Sequence, residues 1–141
     1  MIAYVDSSVV LRLILGEPNS LREMDSKWKS IVASEILKIE CFRTLDRIRM
    51  SLHLSDTIIA ERNALLHKAI KSISFAKFSN PVLQGACQTF PIVLKSLDAI
   101  HLSTAIVLRE REKKDVLFLT HDDQLGRAAS AMGFEVQGIR K

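Results

Sequence analysis

The chain has 141 residues, 48% of them hydrophobic and 26% charged, which suits one domain with its own core and excludes disordered or fibrous classes. With 20 Lys+Arg against 16 Asp+Glu the formal net charge is +4, a mild basicity that permits a nucleic-acid partner without requiring one. No apolar run approaches membrane-spanning length, the start lacks the basic-then-apolar layout of a signal peptide, and Cys41 and Cys87 match no zinc or CxxC spacing. A cytoplasmic protein with reduced, buried thiols and no membrane partner is expected.

In chain order, Ile2-Ala3-Tyr4-Val5-Asp6 predicts a first strand over residues 2–6, closed by a carboxylate. Helices follow over 8–15 and, after the turn signal Gly16-Glu17-Pro18-Asn19, over 20–28. A second strand over 30–33 leads into long helical patterns at 35–52 and 56–70. A third strand is expected at 73–78, then a short helix at 81–88 with Pro81 suited to its first turn. The helix at 97–113 is apolar nearly all round in its first half, which predicts burial. Val116-Leu117-Phe118-Leu119-Thr120 reads as a strand buried on both faces, followed by a helix at 123–132 and a last strand at 134–138. Strands alternating with helices predict a single α/β domain over 1–141, a three-layer α/β/α fold around a parallel sheet of about five strands.

Four acids stand out because their elements do not need them. Asp6 and Asp122 follow strands, and Glu40 and Asp98 lie on helices. In open α/β sheets ligands bind beyond the carboxyl ends of the strands, where these four can meet. Taken alone, Asp6-Ser7-Ser8 reads equally well as a helix cap or as a metal ligand with a serine hydroxyl, Ser7 or Ser8, beside it. Glu40 borders the apolar stripe Leu37, Cys41, Thr44, Leu45, Ile48, with Arg43 and Arg47 on its flank; surface charge pairing is the plain reading and a metal beside a phosphate backbone the sharper one. Glu35 competes for the acid role but sits at the strand–helix junction. Asp98 opens the apolar helix, where the dipole favours a negative charge. One of Asp122 and Asp123 caps the following helix; Asp122 is taken as the ligand and Asp123 as its substitute, with Thr120 orienting a carboxylate. His101 reads as a buried hydrogen-bonding residue, and His121 as a residue at the cleft mouth. Gathered carboxylates need a hard divalent cation or other counter-charges, because buried unpaired charge is costly.

Tyr4-Val5-Asp6-Ser7-Ser8-Val9-Val10, Ser34 with Glu40, Leu97-Asp98-Ala99-Ile100-His101-Leu102-Ser103-Thr104-Ala105, and Leu119-Thr120-His121-Asp122 with Leu125, Ala128 and Gly133 occur in that order along the chain. Together they resemble the PIN-domain nucleases, and more closely the VapC-type toxins of type II toxin–antitoxin pairs. The resemblance implies that Asp6, Glu40, Asp98 and Asp122 bind Mg2+ or Mn2+. It further implies an RNA substrate cleaved endonucleolytically, a homodimer, and a small cognate antitoxin as inhibitor. Phosphate contacts are expected from Arg43, Arg47 and Arg12. With 6% aromatics, extensive base stacking is not expected. The competing readings are a housekeeping RNA-processing nuclease of the same fold and a catalytically silent binding module.

Overall fold

A computed structural model describes residues 2–21 and 30–140. The helix expected at 20–28 falls almost wholly outside the described residues. The described elements are strands β1 (Ile2–Val5), β2 (Ser30–Ser34), β3 (Ser74–Ala76), β4 (Val116–Leu119) and β5 (Glu135–Gln137), and helices α1 (Ser7–Ile14), α2 (Ile36–Leu52), α3 (Asp56–Lys71), α4 (Asn80–Ala86), α5 (Ser96–Glu112) and α6 (Asp123–Ala131). The strands pair in the order β3-β2-β1-β4-β5, all parallel.

The two-residue period of β1 and β4 separates two cores. Ala3 and Val5, with Leu117 and Leu119, face a cluster built with Val9, Val10 and Ile14 of α1, Leu37, Cys41 and Leu45 of α2, and Leu66 of α3. Tyr4, Val116 and Phe118 point the other way, onto Leu102 and Ala105 of α5 and Leu125, Ala128 and Ala129 of α6. Helices therefore cover both faces, giving the expected three layers. The edge strand β3 is shorter than the run 73–78, because its pairing to β2 extends only over Ser74 to Ala76. Cys41 is buried as expected. Cys87 is exposed, because it ends the short helix α4 at the surface. Among the described residues no helix is long and apolar enough to cross a membrane.

Chain direction sets where a site can lie. From β1 the chain moves outward to β2 and β3, then returns to the far side of β1 for β4 and β5. The order reverses between β1 and β4, and a crevice opens beyond their carboxyl ends. Asp6 and Thr120 are the residues that follow these two strands.

Candidate functional site

Asp6 occupies the position before α1 with extended backbone, yet its side chain makes no capping bond. Its backbone N–H instead continues the ladder to the Leu119 carbonyl (3.3 Å). The carboxylate is buried and held by two hydroxyls: Ser8 Oγ donates to Oδ1 at 2.6 Å and Thr120 Oγ1 donates to Oδ2 at 2.8 Å. Burial raises the Asp6 pKa, against the opposing pull of His101 and the two hydroxyls. Those hydroxyls are fixed in turn, since Ser8 Oγ accepts from the His121 N–H (2.9 Å) and Thr120 Oγ1 from the Asp122 N–H (3.0 Å). Thr120 is also pinned from the far side. Its N–H donates to the Gln137 carbonyl, and Gly138, at φ +104°, lies so close that a Cβ there would collide with the Thr120 carbonyl. Only glycine fits that approach comfortably.

Glu40 enters from the second turn of α2. Ser7 Oγ donates to Oε2 at 3.2 Å and His101 Nε2 donates to Oε1 at 2.6 Å. The other ring nitrogen of His101 lies 2.7 Å from the Tyr4 hydroxyl, inside the second core. Desolvation works to lower the His101 pKa, but the bond to Glu40 and the charges of Asp6, Glu40 and Asp98 prevail and leave it raised. Burial raises the Tyr4 pKa well above the usual phenol value, so its hydroxyl keeps its proton. Cys41, next to Glu40 in sequence, is pushed up to about 12 by burial and by the Glu40 and Asp6 charges, which leaves an unreactive thiol.

Asp98 stands in the first turn of α5, two residues after its start, and is half-buried. Its pKa is raised to about 6, first by desolvation and then by the charges of Asp122, Asp6 and Glu40. That mutual repulsion records the proximity of four carboxylates from four different elements. Asp122 caps α6, its Oδ1 accepting from the N–H groups of Gln124 and Leu125 (3.0 and 3.1 Å). Asp123 turns away and pairs with Arg140, accepting from its backbone N–H (3.1 Å) and from its guanidinium (2.8 Å). Asp122, not Asp123, is thus the acid that bears on Asp98. Glu35 is exposed at the head of α2 and does not bear on Asp98.

The donors fit a hard divalent cation in kind: carboxylate oxygens, with hydroxyls behind them. As placed, no three His, Cys, Asp or Glu side chains among the described residues are disposed to enclose an ion.

The basic residues lie outside this cluster. Arg43 and Arg47 are exposed three and seven positions after Glu40, on its side of α2; Arg43 pairs with Asp46 (2.8 Å) and Arg47 donates to Thr44 (3.5 Å). Arg12 is 3.8 Å from Glu17 and lines a groove of about 620 Å3 with Asn19, His121 and Arg140. His121 contributes little free chemistry, because Nδ1–H donates to the Gly138 carbonyl (2.8 Å) and Nε2 accepts from the Leu21 N–H (3.3 Å).

A PIN domain family model matches residues 3–131. The chain belongs to the PIN domain family. This PIN domain is 32% identical over 136 residues to "Ribonuclease VapC46" of Mycobacterium tuberculosis (strain ATCC 25618 / H37Rv), a match covering 94% of each chain. The relationship therefore extends to the VapC branch of the family. Among solved structures it resembles VapBC2 from Rickettsia felis bound to a DNA fragment from their promoter, with TM-score 0.68, 14% identity, and coverage of 97% of this chain and 98% of that one. It also resembles PAE2754 from Pyrobaculum aerophilum (TM-score 0.65, 16% identity, 98% and 84% coverage) and a toxin–antitoxin complex from Klebsiella pneumoniae (TM-score 0.64, 15% identity, 99% and 96% coverage). At those identities the structural likeness bears on the fold alone, and it agrees with the three-layer architecture.

Sequence reasoning named the four acids, Ser7 and Thr120, but left Ser8 as an alternative and gave His101 no part in the site. Ser8 carries the shorter bond to Asp6, while Ser7 turns to Glu40. The local signal was the Asp6-Ser7-Ser8 triplet, which cannot say which hydroxyl points where. Tyr4 and His101 are 97 positions apart, and nothing local pairs them.

Proposed function

We propose that this PIN domain is a metal-dependent endoribonuclease of the VapC toxin type, hydrolysing RNA phosphodiester bonds and held in check by a small cognate antitoxin. The observation that carries the proposal is the placement of acids at the strand-order switch: Asp6 is buried there on Ser8 and Thr120, Glu40 is held by the neighbouring Ser7, and Asp98 and Asp122 stand at the starts of α5 and α6, where the charges of Asp122, Asp6 and Glu40 reach Asp98. The match along 94% of Ribonuclease VapC46 supports the choice of reaction.

In this reading Asp6 and Asp98 hold Mg2+ or Mn2+, and Glu40 and Asp122 complete the oxygen shell. The bound ion would supply an acidified water and neutralise charge on the phosphoryl oxygens. Asp6 can act only as an acceptor, because Ser8 and Thr120 fix both its oxygens while each oxygen retains a lone pair. Asp122 has the free half of its carboxylate to offer, its other oxygen being committed to the helix cap. Arg43, Arg47 and Arg12 grip the phosphate backbone. The Arg43–Asp46 pair is no obstacle, because an exposed ion pair is worth about 1 kcal/mol or less and a phosphate can displace it. A homodimer in the free protein is part of the same reading.

The test is cleavage of RNA by the purified protein with Mg2+ or Mn2+, abolished by chelator and by Asp98→Asn. Equal cleavage by wild type and Asp6→Asn would assign the activity to a contaminant. A silent binding module gains support from one observation: both carboxylate oxygens of Glu40 are already engaged, by His101 and Ser7. Absence of any divalent-cation binding, with a partner protein still bound, would decide for it.

A further inference from the structure

The hydrogen-bonded row Tyr4–His101–Glu40 crosses from the core under the sheet into the acidic crevice. Tyr4 lies in the middle of β1 and is fully buried, and His101 is 1% exposed. The imidazole is anchored at both ends, to the Tyr4 hydroxyl at 2.7 Å and to Glu40 Oε1 at 2.6 Å, so its plane cannot turn without breaking a buried bond. An ionised carboxylate has no hydrogen to give, so Nε2 carries the hydrogen of the second bond whichever protonation state the ring adopts. Among the described residues no lysine or arginine pairs with Glu40. Among the described residues its one other tie is the longer 3.2 Å bond from Ser7. A glutamate has three rotatable side-chain bonds, and here the shortest bond restraining them comes from another helix, 61 positions away.

We propose that His101, held in plane by Tyr4, is the positioning residue that presents Glu40 to the metal. The inference rests on the metal-dependent reading above. Outer partners of ligating carboxylates commonly tune metal affinity by orienting the oxygen, and this row is built to do that from a buried, rigid origin. A core histidine with no such role would matter only to folding.

The experiment is Mn2+ titration calorimetry on the intact protein, with each variant's melting temperature recorded alongside. His101→Leu should weaken Mn2+ binding by about 10–100-fold. His101→Gln, whose amide N–H can still reach Glu40, should stay within about threefold of wild type. Tyr4→Phe, which removes one oxygen atom, should weaken binding while retaining the fold, and it carries the test if His101→Leu fails to fold. In a Glu40→Gln background, His101→Leu should cause no further loss. Unchanged Mn2+ affinity in folded His101→Leu or Tyr4→Phe would overturn the proposal, as would losses that simply add in the double variant. Wild type that binds no Mn2+ would instead overturn the metal-dependent reading and this inference with it.

Discussion

Asp98→Asn should make the metal-free protein more stable, although it removes one of the acids proposed to hold the metal. The Asp98 carboxyl moves from 3.8 to about 6 on folding, through desolvation first and the Asp122 and Asp6 charges next. At full strength that displacement corresponds to roughly 3 kcal/mol of destabilisation in the ionised form. The carboxyl is only half-buried, so solvent screening reduces this to about 1–2 kcal/mol. Asparagine also forfeits the favourable charge at the start of α5, about 0.5 kcal/mol. The net gain is about 1 kcal/mol, or roughly 3–4 °C in melting temperature for a chain of this size. Because this acid is harder to ionise when folded, the folded state holds more protons between pH 3.8 and about 6. Its contribution to stability therefore falls as pH rises through that window and is least favourable above it. Urea unfolding in chelator should show the advantage of Asp98→Asn fully developed at pH 7.5 and nearly absent at pH 4. Saturating Mn2+ should reverse the order, since a ligand at about 100 times its dissociation constant adds roughly 2.7 kcal/mol to the form that binds it. Asp98→Asn no more stable than wild type at pH 7.5 in chelator, or an advantage equally large at pH 4, would refute the reasoning.

Three further outcomes follow from the same geometry. Thr120→Val strips Asp6 Oδ2 and the Asp122 N–H of their shared partner, and should cost about 1–3 kcal/mol by urea unfolding; a change under about 0.5 kcal/mol would show those bonds to be dispensable. Gly138→Ala forces a side chain into the Thr120 carbonyl at positive φ, so it should destabilise by more than about 1 kcal/mol and weaken Mn2+ binding through Thr120; an alanine variant with wild-type melting and affinity would contradict this. Arg47→Ala should reduce the slope of log affinity for single-stranded RNA against log salt by about 0.7, one phosphate contact's worth, when measured with an uncleaved RNA. A slope identical to wild type would remove Arg47 from the RNA path.

The layered fold was legible because the apolar runs at 2–5 and 116–119 are local signals of strands covered on both sides. The four acids were legible because each interrupts or borders an apolar pattern without serving it. Asp6 was ambiguous by sequence, since a cap and a ligand look alike at that position, and only its bonds to Ser8 and Thr120 separate them. The Asp122–Asp123 doublet was undecidable for a similar reason. Its resolution comes from Arg140, 17 positions on, which draws Asp123 away. Tyr4–His101–Glu40 left no trace in the sequence, because a histidine on an apolar helix and a tyrosine in a strand each look like core residues. Pairings between residues separated by 61 and 97 positions depend on β1, α2 and α5 packing together.

The strut behind Asp6 reaches to the edge of the sheet. Thr120 is clasped by Gln137 and Gly138, so β5 bears on the Asp6 carboxylate through that threonine. An edge strand of three residues thus helps set how firmly a buried acid is held, and slackening it would loosen Asp6 without changing any acid.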